Sequence, residues 1–314
     1  MAMTETGSQA VRCTSTEKTG VAPVGPSARA ALARRERRER RVRRLTQTGL
    51  HAGLIGWALL SIYPLVWILL TSLKYTRELY ADPFGLPLDW KWSNYQEAWV
   101  HANMGTYFIN SIVVTIGSLV LVLILSATAA FALARFDFRL KGLVWAYILF
   151  GFLIPHSTLL VPLAIFTRRI GLYNRLYGLA IVYAAVGIPW NVFFLRAFME
   201  TIPKELEEAA IMDGAGMWLV FWRVIVPLSQ PALATMATFH FMSAWSEYIL
   251  ALVLTGTTES RTLPVGISLL EGHFTSNEPG VAAGMAITIV PVVLVFAFLQ
   301  RYVIKGITAG ALKG

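Results

Sequence analysis

Residues 106–134 read TYFINSIVVTIGSLVLVLILSATAAFALA, without one Asp, Glu, Lys or Arg. At about 1.5 Å per helical residue such a run outspans the roughly 30 Å hydrocarbon layer of a bilayer. Comparable apolar segments lie at about 49–73, 142–167, 176–199, 224–255 and 283–304. The whole chain of 314 residues is 56% hydrophobic and only 14% charged, with a mean hydropathy of +0.58. A water-soluble surface needs far more charge than that. The chain therefore reads as all-α, a polytopic membrane protein with six transmembrane helices.

Charge sets the orientation. With both N- and C-termini cytoplasmic, twenty of the 27 Lys and Arg fall on the inner side, which is where positive charge resists translocation. Nine of them are arginines between Arg29 and Arg44, suited to anionic lipid headgroups. The net charge of +9 is then a topology signal, and no nucleic acid partner is expected. Residues 1–48 read as a disordered basic tail, 49–304 as the transmembrane domain and 305–314 as a cytoplasmic tail. Outer loops are expected at 74–105 and 256–282, the second rich in Gly and Pro and without regular structure. Pro64, Pro155, Pro162, Pro189, Pro227, Pro231 and Pro291 lie in or near the spans. Each removes a helical hydrogen bond that neighbours must replace, as befits a pathway that rearranges.

Catalytic and metal chemistry find little support. Cys13 is the one cysteine, so no intramolecular disulfide forms, and the histidines show no ligand spacing. No Ser/His/Asp set or paired carboxylates emerge, so neither an enzyme nor a cofactor is expected. No Gly-Lys dipeptide occurs, which rules out a GxxxxGK[ST] phosphate loop. Any ATP must be bound by another chain.

The inner loop 200–223 and the residues after it read ETIPKELEEAAIMDGAGMWLVFWRVIVPLSQP over 200–231. Pro203 suits a first helical turn, and Glu205, Glu207 and Glu208 suit a helix N-terminus. Asp213-Gly214 offers a left-handed cap. A second helix is predicted from about Gly216 through Trp218, Phe221 and Trp222, past Pro227. A helix of about ten residues is marginal alone, so it docks. Leu206, Ala209 and Ala210 give it a small apolar face for another protein, the alternative being an amphipathic linker on the lipid surface.

Glu208-Ala209-Ala210, Asp213-Gly214-Ala215, Phe221, Val224, Pro227-Leu228 and Pro231 resemble the EAA loop of ABC importer permeases. Asn110-Ser111, Trp245-Ser246-Glu247 and the ending from Gly306 to Gly314 are similar to the maltose-type, carbohydrate-uptake branch, with Ser246 where many relatives carry Asn. The resemblance implies a type I importer permease in the cytoplasmic membrane. It assigns Glu208, Ala209, Ala210, Asp213 and Gly214 to coupling with an ATP-binding subunit dimer. It further implies a second homologous permease in a heterodimer, and an extracytoplasmic solute-binding protein that meets loop 256–282. The implied activity is import of a sugar or oligosaccharide. A non-sugar solute, or a secondary carrier working without ATP, are the alternatives.

A sugar pathway needs polar acceptors and aromatic faces. Asn110, Trp190, Asn191, Trp245 and Glu247 are span residues of that kind, as are Tyr63 and Trp67, although the same types also glue helices together. Glu247 is the one acid well inside a span, either a pathway group or a structural, hydrogen-bonded glutamate. His156 and His240 are the other titratable groups there. No intramembrane Lys or Arg partners Glu247, which argues against a proton-coupled carrier.

Overall fold

The computed structural model describes residues 26–273 and 277–311, and every regular element among them is helical. The chain divides into two units, Met1–Tyr63 and Pro64–Gly314. Helix α1 (Pro26–Thr71) starts at a proline, whose missing N–H costs nothing in a first turn. Of the tail read as disordered, residues 1–25 lie outside the described residues. From Pro26 the backbone is helical, because its Ala, Arg, Glu and Leu are strong helix formers.

In the second unit, the segment after α1 holds α2 (Thr76–Ala81) and α3 (Ser93–Gln96), the latter running into a π turn at Glu97–His101. Next come α4 (Met104–Arg135), α5 (Lys141–Leu153), α6 (Leu160–Arg169) and α7 (Leu176–Met199). The short α8 (Glu205–Met212) follows, then α9 (Met217–Val220), a π turn Phe221–Ile225 and α10 (Val226–Leu228). The chain continues through α11 (Gln230–Trp245), α12 (Ile249–Leu254), α13 (Leu263–His273) and α14 (Glu278–Ala311). Helix α13 corrects the reading of 256–282 as irregular. Pro264 sits in its first turn, where proline starts a helix rather than breaking one.

Thr46–Thr71, α4, α7 and Glu278–Gln300 are each long and apolar enough to cross a membrane. Two bent pairs raise the number to six if each is one span: Lys141–Leu153 with His156–Arg169, bent by 93°, and Met217–Leu228 with Gln230–Trp245, bent by 74°. Prolines explain both breaks. Ile154 is extended at ψ 120°, as a residue preceding proline prefers, and Pro155 then starts a 3-10 turn. Pro227 and Pro231 flank the second break, where the missing N–H groups interrupt the ladder. Pro64, Pro189 and Pro291 instead sit inside continuous helices.

Helix α4 packs along α7 and α11. Its buried stripe, Ser111, Thr115, Ser118, Val122, Ser126 and Ala130, follows the 3–4 residue spacing of one helical face. Small residues let neighbouring backbones approach closely, which is what holds helices together in lipid. Ile109, Ile112, Val113, Ile116 and Val120 face outward, as lipid-facing positions do. Near one end of the bundle Leu133, Leu195, Met199, Phe221 and Ile225 form a buried cluster. Near the other, Met104, Tyr107, Trp245, Leu263 and Ala283 form another. A 32-residue α4 of about 48 Å separates them.

Candidate functional site: a capped loop helix and a cavity between spans

At the Arg135 end of α4, α8 stands out from the bundle. Asp213 ends the helix, and Gly214 adopts φ +87°, a left-handed conformation that costs a side-chain-bearing residue roughly 1–2 kcal/mol. Ala215 N–H donates to Ala210 O at 3.0 Å, and Gly214 N–H donates to Ile211 O at 2.9 Å. These two bonds together close a helix C-terminus by the Schellman pattern, so the cap expected of Asp213-Gly214 is present. Glu208, Ala209, Asp213 and Gly214 are exposed and Ala210 is half-buried. Leu206 is 46% and Met212 87% exposed, so the apolar face expected to dock is open. A groove of about 290 Å³ runs beside Asp213 and Gly214, with Arg223 in its wall.

Glu207 is the one fully buried residue of α8. Its carboxylate pairs with the Arg135 Nε–H, and the two side chains are 4% and 7% exposed. Arg135 also donates from Nη2 to Ile202 O at 2.9 Å. The guanidinium thus holds the chain on both sides of Pro203. Sequence reading missed this pair, because 72 positions separate the partners and no spacing rule joins them. The available signal was spacing, since Glu205 and Glu208 share one helical face and Glu207 falls on another.

A cavity of about 360 Å³ lies between the spans, at the α5–α6 break and against α7 and α11. Trp190, Asn191 and Glu247 line it, with His156, His240 and Ser243. Trp190 stacks on Phe152, ring centroids 5.2 Å apart. Asn191 donates from Nδ2 to Gly187 O at 2.8 Å, and its buried Oδ1 has no partner. Ser118 donates to Thr115 O at 3.0 Å, which leaves its oxygen to accept from His240 Nε2, 3.1 Å away. A Cβ on Gly187 would sit 2.8 Å from His240 Nδ1, so glycine is required for the imidazole to lie against α7. The Glu247 carboxylate accepts Leu250 N–H at 2.9 Å, Ala251 N–H at 3.0 Å and the Tyr183 hydroxyl at 2.9 Å. It caps α12, whose start breaks the span expected to run through 224–255.

Asn110 and Trp245 do not line this cavity. Asn110 donates from Nδ2 to Glu259 O and Arg261 O, each at 2.9 Å. Trp245 is 2% exposed, stacks on Phe241 and donates from Nε1 to Thr288 O at 3.2 Å. At the same end Ser111 Oγ accepts Leu263 N–H at 2.8 Å. Asn174, at φ +59°, accepts the N–H groups of Gly256 at 2.7 Å and Thr257 at 3.1 Å. Three polar side chains therefore stitch 256–263 to the bundle. Among the described residues no group of His, Cys, Asp and Glu could hold a metal ion.

Residues 123–309, more than half of the chain, match the family described as binding-protein-dependent transport system inner membrane component. A diacetylchitobiose uptake system permease protein of Streptomyces coelicolor is 35% identical over 265 residues, 84% of this chain and 88% of the relative. A trehalose transport system permease protein of Mycobacterium tuberculosis is 36% identical over 262 residues, 83% and 94% of the two chains. Among solved structures, a bacterial ABC transporter involved in the import of the acidic polysaccharide alginate matches with a TM-score of 0.69 and 28% identity, over 81% of this chain and 95% of that one. With its helical spans, its capped loop helix and these matches, the chain belongs to the binding-protein-dependent inner-membrane permease family of ABC importers.

Proposed function

We propose that this chain is one permease subunit of an ATP-driven carbohydrate importer. It works with a second homologous permease, an ATP-hydrolysing subunit pair and an extracytoplasmic solute-binding protein. The observation that carries the reading is α8, a short rod with open outward side chains, a glycine-fixed end and a buried side held to α4. Glu208, Ala209, Ala210, Asp213 and Gly214 are the surface that enters the ATPase cleft, and the two alanines let its backbone approach closely. Loop 200–223 and both termini then lie on the cytoplasmic side, with 74–105 and 256–282 outside. The inner excess of Lys and Arg supports this orientation, as does the position of α8 and the 256–263 segment at opposite ends of α4.

Closure of the ATPase pair pushes α8 and turns the spans between outward- and inward-facing states. Relatives named for diacetylchitobiose and trehalose support a carbohydrate. So does the chemistry of the cavity. Trp190 offers an apolar ring face, and Asn191 beside it carries a buried Oδ1 that no protein group uses. Glu247 shapes the wall, while Asn110 holds the 256–263 segment and Trp245 holds α14 at the other end of the bundle.

The test is reconstitution of the full importer in liposomes. ATP-dependent uptake of a neutral oligosaccharide that the binding protein captures is expected. Uptake by the permease pair without the ATPase subunits would overturn the reading.

A further inference from the structure

We propose that Arg135 and Glu207 are the mechanical joint of the importer, a pair of positioning residues that makes α8 and α4 move as one body. The inference rests on α8 being the surface pushed by the ATPase. A pushed rod transmits displacement only if its far side is fixed. The one fully buried side chain of α8 meets the bundle through an ion pair, beside the half-buried Ala210, which packs on the apolar cluster of Leu133 and Leu195. That side chain is Glu207, and it meets Arg135, the last residue of α4. Arg135 also takes hold of Ile202 O, ahead of Pro203. The planar guanidinium forks between these two points in a way a single ammonium does not reproduce.

Helix α4 is suited to carry what it receives. Along its length Ser118 meets His240 in the cavity wall. Asn110 and Ser111, near its other end, hold the backbone at Glu259, Arg261 and Leu263. One helix therefore contacts α8, the cavity-wall residue His240 and the 256–263 segment. An ion pair is also the kind of joint that resists sliding, because its geometry is directional and separating two buried charges is costly.

The experiment uses the complete importer in proteoliposomes and reads three quantities: co-purification of the ATPase subunit, ATP hydrolysis, and solute taken up per ATP hydrolysed. Arg135→Glu and Glu207→Gln are expected to leave co-purification and hydrolysis in place while uptake per ATP falls about tenfold, equivalent to about 1.4 kcal/mol of lost coupling. The exchange R135E/E207R restores most of it, which assigns the loss to the pair, while retained co-purification and hydrolysis in the single variants separate a lost joint from a merely destabilised helix. Arg135→Lys, which keeps the charge and loses the fork, falls between. Should Arg135→Glu fail to assemble, Glu207→Gln and the exchange decide. Unchanged uptake per ATP in Glu207→Gln, or an assembled exchange variant without rescue, overturns the joint. Ala209→Trp serves as the control on the underlying reading. If it leaves co-purification and hydrolysis untouched, α8 is not the ATPase contact, and that reading fails separately from the joint.

Discussion

Tyr183 donates its hydroxyl hydrogen to Glu247 Oε2 across 2.9 Å, joining α7 to the residue that caps α12. The acid between α11 and α12 is thereby satisfied by one hydroxyl and two backbone N–H groups rather than by a cation. Three of the roughly four acceptor positions of this carboxylate are thus committed to the protein.

Glu247→Gln should keep most of this arrangement, since the amide oxygen still accepts, and uptake should stay within about threefold of wild type, worth well under 1 kcal/mol. Glu247→Ala removes the cap and strands the Tyr183 hydroxyl, a loss of about 2–3 kcal/mol. Thermal unfolding of the purified importer in detergent measures it as a fall of several degrees. Full stability with abolished uptake in Glu247→Gln would make Glu247 a solute contact instead.

Asn191→Ala deletes an acceptor that no protein group uses. Its cost in stability should stay below about 1 kcal/mol, because the lost Nδ2 bond to Gly187 O is offset by relief of the unpartnered oxygen. If Asn191 faces the solute, uptake kinetics should show a raised KM at unaltered unfolding temperature. A large stability loss with unchanged KM would assign it to helix packing.

Gly214→Asp places a side chain at φ +87° and adds charge to the open end of α8. The backbone penalty of about 1–2 kcal/mol falls on the cap rather than on the core. The spans should still insert, and the ATPase subunit should be lost or uncoupled on affinity purification. Normal uptake by this variant would contradict the coupling role of the loop.

Asn110→Ala frees Glu259 O and Arg261 O from their shared donor. Hydrogen exchange at 259–263 should quicken and capture of the binding protein should weaken, with the cavity and α8 unaffected. Unchanged exchange would show that Asn174 and Ser111 suffice.

Much of this molecule was legible in the residues themselves. The six apolar blocks, the α8 helix and its left-handed stop at Gly214 follow from length, composition and local turn chemistry, all short-range properties. What the sequence hid is long-range or positional. Arg135 and Glu207 meet across 72 positions, and only the packing of α4 against α7 brings them together. Asn110 and Trp245 have side chains suited to a solute, but their helical faces turn them toward Glu259 and Thr288 backbone. Pro264 carried a loop signal in composition and a helix-start signal in position, and position prevailed. Pro155 and Pro189 have the same chemistry, yet one marks a 93° bend and the other an unbroken helix.

The central claim is that force from nucleotide hydrolysis enters through α8. Site-specific cross-linking tests it most directly: Ala209→Cys, exposed on α8, in an importer with Cys13 replaced, paired with single cysteines along the cleft of the ATPase subunit. The account predicts an efficient cross-link in the working complex whose formation blocks or changes with the nucleotide cycle. An active importer in which Ala209→Cys reaches no ATPase position, and reacts instead with reagents confined to the outer side of the membrane, would contradict it.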